Sequence, residues 1–103
     1  MLTPESCCLL SMVTGTLQVR LLARGARTLK DKRQVVRSIL DRMRNDFNVS
    51  AAEVDGFDDY RTITLGFAMV GRDSAQVRDS LQRITDALRR HPIAEFVGSD
   101  LEI

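Results

Sequence analysis

From Val13 to Ala23 the segment VTGTLQVRLLA sets Val13, Gly15, Leu17, Val19 and Leu21 against Thr14, Thr16, Gln18 and Arg20. A period of two is that of a strand with one buried face, so a first strand is expected from Met12 to Ala23. Past Gly25 the period changes. Val36, Ile39, Leu40, Met43 and Phe47 recur at the spacing of one helix face, and Thr28 stands three residues before Asp31 in a capping-box-like start. A helix is expected from Leu29 to Asp46. Two further alternating or β-branched runs, Asn48 to Asp55 and Arg61 to Gly71, flank GFDDY, whose Gly and Asp suit a hairpin loop between antiparallel strands. Asp73, with Gln76 three residues on, caps a second helix. Its stripe of Val77, Leu81, Ile84 and Leu88 ends before Pro92, and a last strand follows from Ala94 to Ile103.

The element order is βαββαβ. This is the split βαβ pattern of an α+β, ferredoxin-like fold, with two helices on one face of a four-stranded antiparallel sheet in spatial order 4-1-3-2. Strands one and two then run the same way, so their C-terminal ends share one end of the sheet. That end carries the loop after Ala23, the Gly56–Tyr60 hairpin and His91. A chain of 103 residues suits a single domain with its own core.

Residues 1–11, MLTPESCCLLS, do not share this patterning and are expected to form a loose tail ahead of a domain at 12–103, with Met12 as the natural start. The tail lacks the basic n-region of a signal peptide, the first Lys or Arg being Arg20. Cys7 and Cys8 have no neighbours that complete a metal-ligand set, and adjacent cysteines close a strained ring when oxidised. No apolar run approaches the roughly 20 residues that cross a bilayer, so no membrane role is expected. The absence of other cysteines suits a reducing cytoplasm.

Net charge is only +1, which conceals an asymmetry. Between Arg20 and Arg44 stand nine basic residues and two acids, a balance of +7, leaving six basic and twelve acidic residues elsewhere, a balance of −6. Such a chain is an electrostatic dipole, and its total charge says little about what it binds. The stretch ARGARTLKDKR crowds cations at a helix start, where free N–H groups and a partial positive charge disfavour them. Either an acid answers that charge or the place takes an anion. Arg24, Arg27, Lys30, Lys32, Arg33 and Arg37 are the candidate anion-binding or RNA-backbone-binding residues, because guanidinium groups and helix-end amides together suit phosphate. On the helix, Lys30, Arg33, Arg37 and Arg44 border the apolar face, where long side chains also snorkel over a core edge. Internal compensation is the competing reading: Glu53, Asp55, Asp58 and Asp59 lie at the same end, although exposed pairs contribute only ~0–1 kcal/mol each.

Catalytic chemistry is thinly supplied: one histidine, no P-loop, no dinucleotide fingerprint and no Cys–His pair. No enzyme activity, cofactor or metal site is expected. His91, at the end of the second helix, is expected to be favoured as an imidazolium by the helix dipole. The acids around the hairpin fit no closed metal-binding loop and suit a solvated turn. Phe57 and Tyr60 in that hairpin either fold back on the sheet or contact a partner. With Ile63, Leu65, Phe67 and Met69 facing the helices, the open face presents Thr14, Thr16, Gln18, Arg20, Thr62, Thr64, Gly66, Ala68 and Val70. None is aromatic, which excludes the base-stacking sheet of an RRM. A small-residue, Thr-rich face instead suits packing against a second copy.

The runs ARTLKDKR, DRMRNDFNVSAAEVD and TLGFAMV resemble the YlxP-like family, small bacterial proteins of unknown function. The resemblance covers about Met12 to Ile103, and its most specific part is Arg27 to Arg33. It implies a ferredoxin-like fold, and the placing of members' genes among those for translation and ribosome-maturation factors implies an RNA- or ribosome-linked role. No catalytic set comes with it. GFDDY departs from the longer, Trp-containing hairpin associated with the family. The expected function is thus a cytoplasmic, ribosome-associated, RNA-phosphate-binding accessory of translation or ribosome assembly. The alternatives are a homodimeric protein-interaction module and a small-anion sensor.

Overall fold

The computed structural model describes residues 12–103. Expectations about residues 1–11, the tail with Cys7 and Cys8, lie outside the described residues. The elements follow in the order β1 (Val13–Ala23), α1 (Leu29–Asp46), β2 (Ser50–Asp55), β3 (Thr62–Gly71), α2 (Ser74–Arg89) and β4 (Ala94–Glu102). Each lies within two residues of the segment expected from the pattern. The strands form one antiparallel sheet in the order β2-β3-β1-β4, the ferredoxin-like arrangement.

Both helices bury the stripes that their spacing marks. Val36, Ile39, Leu40 and Met43 of α1, with Val77, Leu81, Ile84 and Leu88 of α2, close over Leu17, Val19, Leu21, Ile63, Leu65 and Phe67. At roughly 25 cal/mol per Å² of apolar surface removed from water, this one-sided burial is the main term holding helices to sheet. Gly15 is buried on the same face, and the position requires glycine because a Cβ there would stand 2.3 Å from a Val77 methyl. It lets α2 approach β1 closely.

Each helix begins with a capping-box-like pair of bonds, the return bond reaching the amide just before the N-cap residue. Thr28 Oγ1 accepts from the Asp31 N–H at 3.1 Å, and Asp31 Oδ2 accepts from the Arg27 N–H at 3.1 Å. Asp73 Oδ1 accepts from the Gln76 N–H at 2.8 Å, and Gln76 Oε1 accepts from the Arg72 N–H at 2.9 Å. Satisfied end amides fix where each helix starts, and with it which side chains stand beside the neighbouring loops. Gly25, at φ 84°, turns the chain between β1 and α1.

The opposite face of the sheet carries no helix. β4 is bulged between its pairings to Arg20 and Leu21, and Arg20 reaches across this face to Asp100 at 3.1 Å. Thr64 belongs to the open face as expected, yet it is buried, flanked across the strands by Arg20 and Asp55. Val54, Val70 and Val97 are exposed.

Candidate anion-binding surface

Antiparallel pairing brings the C-terminal ends of β1 and β2 together with the N-terminal ends of β3 and β4. The loop from Arg24 to Thr28, the hairpin from Gly56 to Arg61 and the His91–Ile93 turn therefore share one end of the molecule. A backbone bond from the Ala23 N–H to the Arg61 carbonyl, at 2.7 Å, ties the first two.

At the start of α1 the question raised by its crowded cations receives a partly internal answer. Asp31 stands in the first turn, caps the helix and places a carboxylate against the positive end of the dipole. The remaining cations divide into two groups. Arg24 pairs with Glu95 of β4 and stays well exposed. Arg27, Lys30, Arg33 and Arg37 are exposed, and among the described residues none has a carboxylate within ion-pair distance. Internal compensation thus reaches Arg24 and, through Glu53, Lys32, and leaves a row of four. Further along the helix, Arg44 donates to the Ala51 carbonyl at 2.6 Å, placing that flank of α1 beside edge strand β2.

Lys32 requires a correction. Its side chain is 1% exposed and does not belong to the surface set. The ammonium donates to the carbonyls of Gly56 at 2.6 Å, Asp59 at 2.7 Å and Thr62 at 3.1 Å, with Glu53 Oε2 at 2.9 Å. Three N–H donors serve three carbonyls, so the Glu53 oxygen lies in ion-pair contact without taking a hydrogen bond of its own. The carboxylate neutralises and the carbonyls coordinate. A sequence signal for this existed: Lys32 stands four residues before Val36 and seven before Ile39, at the head of the apolar stripe.

The hairpin that Lys32 holds is bonded throughout. Asp55 Oδ1 accepts from the Gly56 N–H at 2.8 Å, while Asp59 accepts from the Arg61 N–H at 2.8 Å and the Thr62 hydroxyl at 2.9 Å. These bonds, the Arg61 amide first, hold the Asp59 carboxyl below its ordinary range. The acids of this end therefore build a turn, and no group of three metal-ligating side chains occurs among the described residues. Phe57 remains 56% exposed, and the Arg61 guanidinium lies 5.4 Å from the centre of the Tyr60 ring. Arg61 belongs with the cations of this end, a residue that attention to α1 overlooks.

His91 also departs from expectation. It lies past the end of α2, and its Nδ1 accepts from the N–H groups of Ile93 at 3.2 Å and Ala94 at 3.1 Å. Burial first, and then the Arg42 charge, lower its pKa below the ordinary histidine value. The neutral ring, not the imidazolium, is the favoured form, and it serves to start β4.

The profile of a protein family described as "Protein of unknown function (DUF503)" matches residues 14–101, nearly the whole domain. The chain belongs to this family. The "Uncharacterized protein YlxP" of Bacillus subtilis (strain 168) is 36% identical over 70 residues, covering 68% of this chain and 76% of that protein. Among solved structures, a de novo designed protein with a ferredoxin fold, determined by solution NMR, is similar at 20% identity and a TM-score of 0.49. It covers 88% of this chain and 86% of its own. The family's description assigns no reaction and no partner, so function has to be argued from the surface itself. No helix among the described residues is long and apolar enough to cross a membrane.

Proposed function

We propose that this chain is a non-enzymatic accessory of translation or ribosome assembly that binds RNA through its phosphate backbone. Arg24, Arg27, Lys30, Arg33 and Arg37 are the contacts. The observation that carries this reading is the row of four exposed cations, Arg27 to Arg37, with no carboxylate partner among the described residues. Like charges held close together disfavour one another, and a polyanion relieves that cost while releasing its own counterions. Such contacts position a backbone and carry no base sequence. The family resemblance points the same way.

Replacing Lys30 and Arg33 with Glu tests it. Both side chains are exposed and, among the described residues, unpaired, so melting temperature should stay within a degree or two, while retention of RNA by the purified protein should be lost. Retention that survives the reversal refutes the proposal.

A second reading rests on a different observation. The open sheet face holds a shallow trough of about 520 Å³, lined by Thr16, Gln18, Ala52, Val54, Gly66 and Ala68. This face is the one that a homodimeric interaction module would use. Thr16→Arg or Ala68→Arg should then shift the elution volume on sizing chromatography from dimer to monomer; an unchanged volume rejects that reading.

A further inference from the structure

We propose that the same end of the molecule carries a cleft for an unpaired nucleotide, which makes its target single-stranded RNA and not a continuous duplex; this rests on the phosphate-binding reading above. Arg24, Gly25, Arg27 and Arg61 line a cleft of about 500 Å³ between the β1–α1 loop and the β2–β3 hairpin. That volume lies within the range of small-ligand sites. Three arginines line it and no acidic residue does, although Glu95 pairs with Arg24 and the Arg61 guanidinium lies over the Tyr60 ring. The charge complements a phosphate, and planar guanidinium groups also stack on bases, which suits a nucleotide.

The hairpin adds the aromatic component. Phe57 is exposed on a turn whose backbone is fixed by Lys32, Asp55 and Asp59, so its ring is presented by a bonded loop. The same hairpin contributes Arg61 to the cleft, so one bonded segment carries both an exposed ring that can serve as a stacking platform and a cation for backbone contacts. A duplex cannot use it. Paired bases hide their faces in the stack, and unpaired ones offer them to a ring. The sheet provides no alternative platform, since its open face bears no aromatic side chain. Phosphate contacts along α1 would thus hold either form of RNA, whereas Phe57 discriminates between them.

Binding of the full chain to a labelled 12-nucleotide RNA, alone and annealed to its complement, tests this with Phe57→Ala and Phe57→Trp variants. Loss of one stacked base weakens binding by about 5- to 160-fold, so Phe57→Ala should weaken single-strand binding in that range. Duplex binding and melting temperature should be unchanged, and Phe57→Trp should bind the single strand at least as well as the wild type. Equal effects of Phe57→Ala on both RNAs, or none on either, overturn the stacking cleft. If Lys30→Glu/Arg33→Glu still abolishes binding in that case, the phosphate reading survives alone; if the wild type binds neither RNA, both fall.

Discussion

Replacing Lys32 with Met removes the ammonium and keeps an unbranched apolar stem of similar reach, so the perturbation isolates the charged head. Three carbonyls lose a charged donor, and Glu53 loses its only ion-pair partner among the described residues. Hydrogen bonds to a charged group contribute about 1.5–3 kcal/mol each, but they share one ammonium and do not add. The Gly56 carbonyl also keeps a bond from the Asp59 N–H at 3.1 Å. Removing one member of a buried pair typically costs ~3–5 kcal/mol, and that is the magnitude expected here. With a urea dependence of about 1.5 kcal/mol/M, the unfolding midpoint followed by circular dichroism should fall by roughly 2–3 M. Adding Glu53→Gln should recover part of the loss, because the stranded charge is gone. A midpoint for Lys32→Met within about 0.5 M of the wild type would show that the carbonyl cage is satisfied without the ammonium, and the account of the hairpin would be wrong.

Other outcomes follow from the same geometry. Gly15→Ala should destabilise by about 1–3 kcal/mol in a urea titration, since the new methyl meets Val77 at 2.3 Å and Leu81 at 3.0 Å. Thr28→Ala should cost ~0.5–2 kcal/mol through loss of the α1 cap, with little effect on RNA binding. His91 has a folded pKa below its unfolded value, so the unfolded chain binds more protons and stability rises with pH. Its contribution should be complete above about pH 6.5 and decline as pH falls below that, a slope that His91→Gln should flatten in urea titrations between pH 5 and 8.

Much of the architecture was legible because it depends on periodicity. The alternation in β1, the stripes on α1 and α2 and both capping-box-like starts are local patterns whose physical cause is local, and each appears where its spacing put it. The site was legible in part. Arg27, Lys30, Arg33 and Arg37 are exposed as expected, because a charged side chain off the apolar stripe has no reason to bury. Lys32 misled because residue type suggested solvent while its helical position pointed at the core; only the β2–β3 hairpin, 24 to 30 residues away in sequence, decides between them. His91 misled for a similar reason. Its partners are the amides of the turn that follows it, and these outweigh the helix end that precedes it. Arg61 entered the cationic end only through the pairing that sets the hairpin beside the β1–α1 loop.

The claim on which the functional account rests is that the unpaired cations of α1 and its preceding loop neutralise RNA phosphates. The salt dependence of RNA affinity measures this directly. For single-stranded RNA the logarithm of the binding constant falls by about 0.7 per phosphate contact for each tenfold rise in salt. Reversing Lys30 and Arg33 should therefore lower the slope by about 1.4 or abolish binding outright. A wild-type affinity that is independent of salt, or a slope the reversal leaves unchanged, would contradict the account.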